Sequence, residues 1–294
     1  MSQPRAASRI ERGKPLTAIA FAALVASFLG ACETTIGSLQ PTGRGVAEVD
    51  DSTTNPQAAQ TNIASLTDVI QRNQNDPQAY NTRGVAYAKA GRFQEAVADF
   101  TKALQLNPQY AAAYSNRALA FRQLGRNDQA MSDFNRALNS DPNYHPAYLG
   151  RGNLYRAQGN LPEAITDLGR VVQLNPSGAE AYHGRGLVYQ AQGQHPLAIS
   201  DFDAAIDRNP YVAPPYHARG QSLIEVGKFD QAVEDFNAAL NVDNRNANSW
   251  ALRGIALDRA GKKTEAQESF QRALALDGNN KIAKQGLSGG RGFF

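Results

Sequence analysis

Cysteine is almost absent from this chain. Cys32 is the single one, so no internal disulfide can form, and an oxidising compartment would leave no mark in the cysteine count. Catalytic spacings are absent too: there is no HExxH, no GxSxG, no P-loop and no paired cysteines, which leaves the usual metallohydrolase, serine-hydrolase and nucleotide-hydrolase chemistries without support. Charge of one sign is also scarce. The formal +3 belongs to the start of the chain, where Arg5, Arg9, Arg12 and Lys14 stand against Glu11. Without that stretch the two signs balance, and a neutral remainder gives no support for binding nucleic acid or anionic lipid. Long apolar runs are missing except for Leu16 to Leu29, which is too short for a comfortable membrane span and reads as a secretory signal.

That run ends Leu29-Gly30-Ala31-Cys32. The four residues resemble the bacterial lipobox, which implies cleavage after Ala31, lipidation of Cys32 and a membrane anchor made of acyl chains such as palmitate. Several chains, at roughly 0.8 kcal/mol per buried methylene, hold a protein stably without a transmembrane helix. The alternative is a lone buried thiol behind an ordinary signal or a short anchor. Glu33 stands where an aspartate would resemble an inner-membrane retention signal, so the resemblance favours the outer membrane. From residue 32 to about 60 the chain is rich in Thr, Ser, Gly, Pro, Asn and Gln. Such a segment buries too little apolar surface to offset the cost of ordering it, and it reads as a flexible tether.

Beyond it one pattern repeats. A leading aromatic recurs as Tyr80, Tyr114, Tyr148, Tyr182, Tyr216 and Trp250, and a turn glycine as Gly91, Gly125, Gly159, Gly193, Gly227 and Gly261. A small residue recurs as Ala96, Ala130, Ala164, Ala198, Ala232 and Ala266, and a large plug as Phe100, Phe134, Leu168, Phe202, Phe236 and Phe270. Within a unit, Tyr182, Gly186 and Tyr189 share one helical stripe, and Ala198, Phe202, Ala205 and Ile206 share another. Gly193 ends the first helix; Pro196 suits the first turn of the second. Neither helix has the apolar surface to stand alone, so each must pack on its partner and on the next unit.

These residues resemble the tetratricopeptide repeat family, whose unit of about 34 residues carries an aromatic, a small residue and an aromatic, then alanine, phenylalanine, alanine and proline. The closing proline is Pro108, Pro142, Pro176 and Pro210, with Asn244 and Gly278 as later breakers; the mid-helix small position is Gly84, Gly152, Gly186, Gly220 and Gly254, with Ala118 as its departure. The expected fold is all-α, a right-handed α-solenoid of six helix hairpins over residues 77–280. A half-repeat cap over 61–76 should precede it, carrying Ile63, Leu66 and Ile70. A short cap and tail over 281–294 should follow, behind a signal over 1–31 and the tether over 32–60.

Candidates for chemistry are few. The GRG triplets at Gly150 and Gly184 lack the third glycine of a dinucleotide loop and fall in mid-helix. His183 and His217 occupy one position in adjacent units; a helix spacing of roughly 8–10 Å separates such positions, too far to share a metal whose ligands stand about 2 Å away. No metal and no cofactor is expected. Arg83, Arg117, Arg151, Arg185, Arg219 and Arg253 form a ladder that suggests an anion spine, but Asp99, Asp133, Asp167, Asp201 and Asp235 follow at a constant spacing and point to ion pairs across each hairpin. In the last unit Ser269 replaces the aspartate, so Arg253 should find Glu268 or remain free.

The resemblance implies a concave groove lined by the first helices. Carried over position by position, its polar wall comprises Ser115, Asn116, Arg122, Asn153, Arg156, His183, Gln190, His217 and Gln221, interspersed with Leu149, Leu187 and Ile224. The lysine and asparagine clamp of chaperone-binding members is not reproduced, since Asn81, Ser115 and Leu149 hold the lysine positions. Arg122 and Arg156 lie outside the ladder with no obvious acidic partner in sequence, and they are the candidates for grasping a partner's carboxylate. The expected function is a non-enzymatic protein interaction scaffold, similar to the tetratricopeptide outer-membrane lipoproteins of the NlpI type. It would be anchored on the periplasmic side and dock other envelope proteins. A pilotin-like assembly factor for a pilus or secretin, or a glycan-binding envelope protein, are the alternatives.

Overall fold

A computed structural model describes residues 56–288. Cys32, the signal over 1–31, most of the tether and the glycine-rich tail lie outside the described residues, so the lipidation expected at Cys32 is not addressed by the structure. The described residues form helices joined by turns. They begin with α1 (Pro56–Arg72). Hairpins follow as α2 (Pro77–Lys89) with α3 (Phe93–Leu106), α4 (Ala111–Gln123) with α5 (Asn127–Ser140), and α6 (His145–Ala157) with α7 (Leu161–Leu174). Three more are α8 (Ala179–Ala191) with α9 (His195–Arg208), α10 (Ala213–Glu225) with α11 (Phe229–Val242), and α12 (Ala247–Arg259) with α13 (Lys263–Leu276); α14 (Lys281–Leu287) comes last. The six expected hairpins are all present. One boundary shifts: α1 starts at Pro56, not near residue 61. Proline suits a first turn and Gln57-Ala58-Ala59-Gln60 are good helix formers, so the helix runs back into what composition alone reads as tether.

Each hairpin closes on its plug. Phe100, Phe134, Leu168, Phe202 and Phe236 are fully buried, and truncating one of the phenylalanines to alanine costs about 3–5 kcal/mol. The glycine facing the ring is a packing requirement: a methyl on Gly84 would stand 2.6 Å from Phe100, and one on Gly186 2.6 Å from Phe202. The second hairpin departs from this pattern and compensates. Ala118 occupies the small position there, and the Phe134 ring lies against Gly150 of the following unit instead. The turn at Gly193 has φ 70°, a left-handed conformation that glycine adopts without strain.

Curvature follows from which helices touch. Consecutive first helices are in contact (α2 with α4, α4 with α6, α6 with α8, α8 with α10, α10 with α12), whereas consecutive second helices are not. First helices therefore line the inner face of the solenoid and second helices its outer face.

Candidate functional site

Two arginine positions on the first helices have opposite fates. The ladder arginines are closed into the fold. Arg83 donates through Nε and Nη2 to Asp99 at 2.7 and 2.8 Å, and Arg117 through the same atoms to Asp133 at 2.6 and 2.9 Å. Arg151 with Asp167, Arg185 with Asp201 and Arg219 with Asp235 repeat the two-pronged geometry. The aspartates are buried, so these bonds are needed to offset the loss of water around a carboxylate. Burial alone pushes the Asp235 carboxyl upward, and the Arg219 guanidinium acts against it. The leading aromatics share this seam: each guanidinium lies over one, as Arg151 does over Tyr148 at 5.6 Å.

The ladder also has a second set of partners, reaching back one unit. Arg83 donates to Thr67 Oγ1, Arg117 to Thr101 Oγ1, Arg151 to Asn135 Oδ1 and Arg219 to Asp203 Oδ1. Each arginine thus ties its own hairpin to the preceding one. The signal was present as a polar residue just after the plug, and pairing each arginine only forward in sequence overlooked it. Arg253 corrects a specific expectation: it neither takes Glu268 nor remains free, but donates to Ser269 Oγ at 2.5 Å and Asn237 Oδ1 at 2.6 Å. Arg185 lacks a backward partner of this kind because its place is held by Gly169.

The polar wall expected of the groove is more enclosed than its sequence positions suggest. Ser115 is 0% exposed and Asn116 3%, so neither presents a groove surface. The cause is the contact between first helices, which brings these positions against the neighbouring helix; Asn116 Nδ2 donates to Asn81 Oδ1 at 3.1 Å. Gln190 Nε2 donates to the Ala218 carbonyl and to Ser222 Oγ, both at 3.0 Å, and His217 Nδ1 pairs with Ser249 Oγ at 2.8 Å. These side chains knit adjacent units together. Gln221 is half-buried. Arg122 is half-buried as well and is engaged in an interaction of its own, so its expected freedom from partners is not what the structure shows.

Between α6 and α8 the accounting stays open. Arg156 Nε and His183 Nδ1 are buried atoms with no hydrogen-bond partner among the described residues. Asn153, one turn before Arg156, places Oδ1 3.3 Å from where a Cβ on Gly184 would stand. The His183 ring packs on Phe202 with centroids 5.8 Å apart. Burial first, then the positive Arg156, lowers its pKa to about 4, so at neutral pH the imidazole is uncharged beside a fixed cation. A cation with an unmet donor and a polarisable ring in a partly desolvated seam is a place for an anionic oxygen. No group of His, Cys, Asp and Glu able to hold a metal occurs among the described residues.

Family models described as tetratricopeptide repeat match residues 77–110 and 111–144, 179–211 and 217–281, and one described as TPR repeat matches 152–193. A search of characterised proteins by sequence finds no match. Among solved structures, Pseudomonas aeruginosa pilF aligns with TM-score 0.67 at 19% identity, over 72% of this chain and 97% of that one. PilW, described as a widely conserved type IV pilus biogenesis factor, aligns with TM-score 0.65 at 18% identity, over 72% and 98%. The APC/C hetero-tetramer Cut9–Hcn1 aligns with TM-score 0.68 at 20% identity over 80% of this chain, which spans only 46% of the length of that one. At these identities the likeness is one of fold.

Proposed function

This chain belongs to the tetratricopeptide repeat family, and from that premise we propose that it is a non-enzymatic scaffold whose inner face docks a carboxylate-bearing segment of another envelope protein. The observation that carries this reading is the open seam at Arg156 and His183, in an array whose other recurrent arginines are closed by partners. An incoming carboxylate supplies the acceptor that Arg156 Nε lacks. It also favours protonation of His183, which then donates to the same group. The reading further places the scaffold on the periplasmic side of the outer membrane, held by acyl chains on Cys32; its support is Leu29-Gly30-Ala31-Cys32 at the end of the only long apolar run. Mass spectrometry of the mature N-terminal peptide tests the anchor, and an unmodified Cys32 would remove it.

The docking face is tested by site-specific photo-crosslinking in intact cells. A crosslinker at Gln221 on the inner face should capture a defined partner, while one at Leu197, which is exposed on a second helix, should not. Equal capture from both positions would contradict docking at the inner face. A role in pilus or secretin assembly is the second reading, favoured by the likeness of fold to pilF and PilW over 72% of the chain. It is distinguished by the identity of the captured partner.

A further inference from the structure

The described array ends in two halves of the same hairpin. α1 is a second helix by register, since Ile63, Leu66 and Ile70 stand one repeat before Val97, Phe100 and Leu104. No first helix precedes it among the described residues. α14 is a first helix by register, and no second helix follows it among the described residues. Each half therefore bares a face that the complete hairpins keep closed.

The residues on those two faces fit each other. The position that runs from Ala103 to Ala273 is at most 2% exposed in every complete hairpin; in α1 it is Val69, 46% exposed. The ladder arginine is replaced in α14 by Leu287, 39% exposed. Its aspartate is replaced in α1 by Ser65. Both members of the ion pair are missing together, one from each end, so bringing the ends together buries apolar surface and strands no charge. The plug of α1 is Leu66, half-buried, and the small position facing it would be Ser288.

We propose that α14 of one copy packs on α1 of a second copy, completing a seventh hairpin across the junction and continuing the solenoid head to tail. The contact joins unlike surfaces, so it can add copies without closing on itself. It is weak by construction. Arg72 and Lys284 take the positions at which Arg208 lies over the Tyr182 ring at 4.0 Å inside the fourth hairpin, which sets two cations side by side at the rim. Both are exposed, so added salt screens their repulsion and strengthens the association.

Sedimentation velocity of the full chain in mild detergent, over a range of concentration and salt, tests this. The native chain should form concentration-dependent oligomers that increase with salt. Ser65→Asp alone, or Leu287→Arg alone, buries one unpaired charge at the junction and should weaken association by about tenfold or more. An equal mixture of the two variants, or one chain carrying both, should restore it by rebuilding the arginine–aspartate pair between copies. Single variants that associate like the native chain, or a mixture that fails to recover, would overturn the proposal. So would a chain that stays monomeric while Val69→Asp lowers its stability, because α1 would then be covered by residues 1–55 of its own chain.

Discussion

Arg151 and Arg156 sit on the same helix, five residues apart, and meet opposite ends. Arg151 faces the second helices, where Asp167 of its own hairpin and Asn135 of the preceding one engage three of its donor atoms. Arg156 faces the next first helix, where its Nε is buried without an acceptor beside the uncharged ring of His183. A cation satisfied by its own repeat and the one before it is part of the scaffold. One buried without an acceptor has room for chemistry from elsewhere, and so the comparison separates a structural column from a binding position on a single helix.

Removing a closed arginine should have the largest effect. Arg219→Ala leaves Asp235, 4% exposed, as a buried carboxylate without its two-pronged partner, and such losses run to about 3–5 kcal/mol. Chemical denaturation should register that cost, and hydrogen exchange should place it in the fifth hairpin and its neighbours, since a repeat array couples nearest units.

Acid should act next, through His183. Its pKa in the folded chain is about 4 against an ordinary value near 6.5 in the unfolded chain. The unfolded chain therefore binds the extra proton between those two values, and stability contributed by the neutral imidazole is complete above about pH 6.5 and lost as pH falls towards 4. The contribution is about 3 kcal/mol. His183→Leu should flatten that part of the stability profile, while a profile with the same slope in both chains would mean that other groups cause it.

A gain is expected at the one interruption of the backward ladder. Gly169 puts no side chain near Arg185, whose Nη1 would lie 4.0 Å from an added Cβ. Gly169→Asn should rebuild the link that Asn135 makes to Arg151 and improve helix propensity, raising stability by about 1–2 kcal/mol in thermal or urea unfolding.

The fold and the ladder were legible in sequence because each rests on a recurring residue. Six aromatics, six turn glycines and five arginine–aspartate spacings fix the hairpins and their ion pairs without knowledge of how units stack. The start of α1 was less legible, since Pro56 to Gln60 reads as tether by composition and as helix by propensity. The groove wall was least legible. Ser115, Asn116, Gln190 and His217 are polar residues on the inner side, and whether they face solvent or a neighbouring helix depends on how closely first helices approach one another. That distance depends on how neighbouring units stack, a packing outcome that no single repeat encodes.

The smallest effect on stability, and the sharpest test, belongs to Arg156. Arg156→Ala removes a side chain whose Nε holds no internal hydrogen bond, so unfolding should change by no more than about 0.5 kcal/mol. The decisive measurement is the yield of partner crosslinked from Gln221 in cells carrying Arg156→Ala, compared with cells carrying the native chain. Hydrogen bonds to charged groups contribute roughly 1.5–3 kcal/mol, so affinity should fall by about tenfold or more and the yield with it, while melting stays unchanged. An undiminished yield would make Arg156 an ordinary groove arginine and would remove the open seam as the docking position.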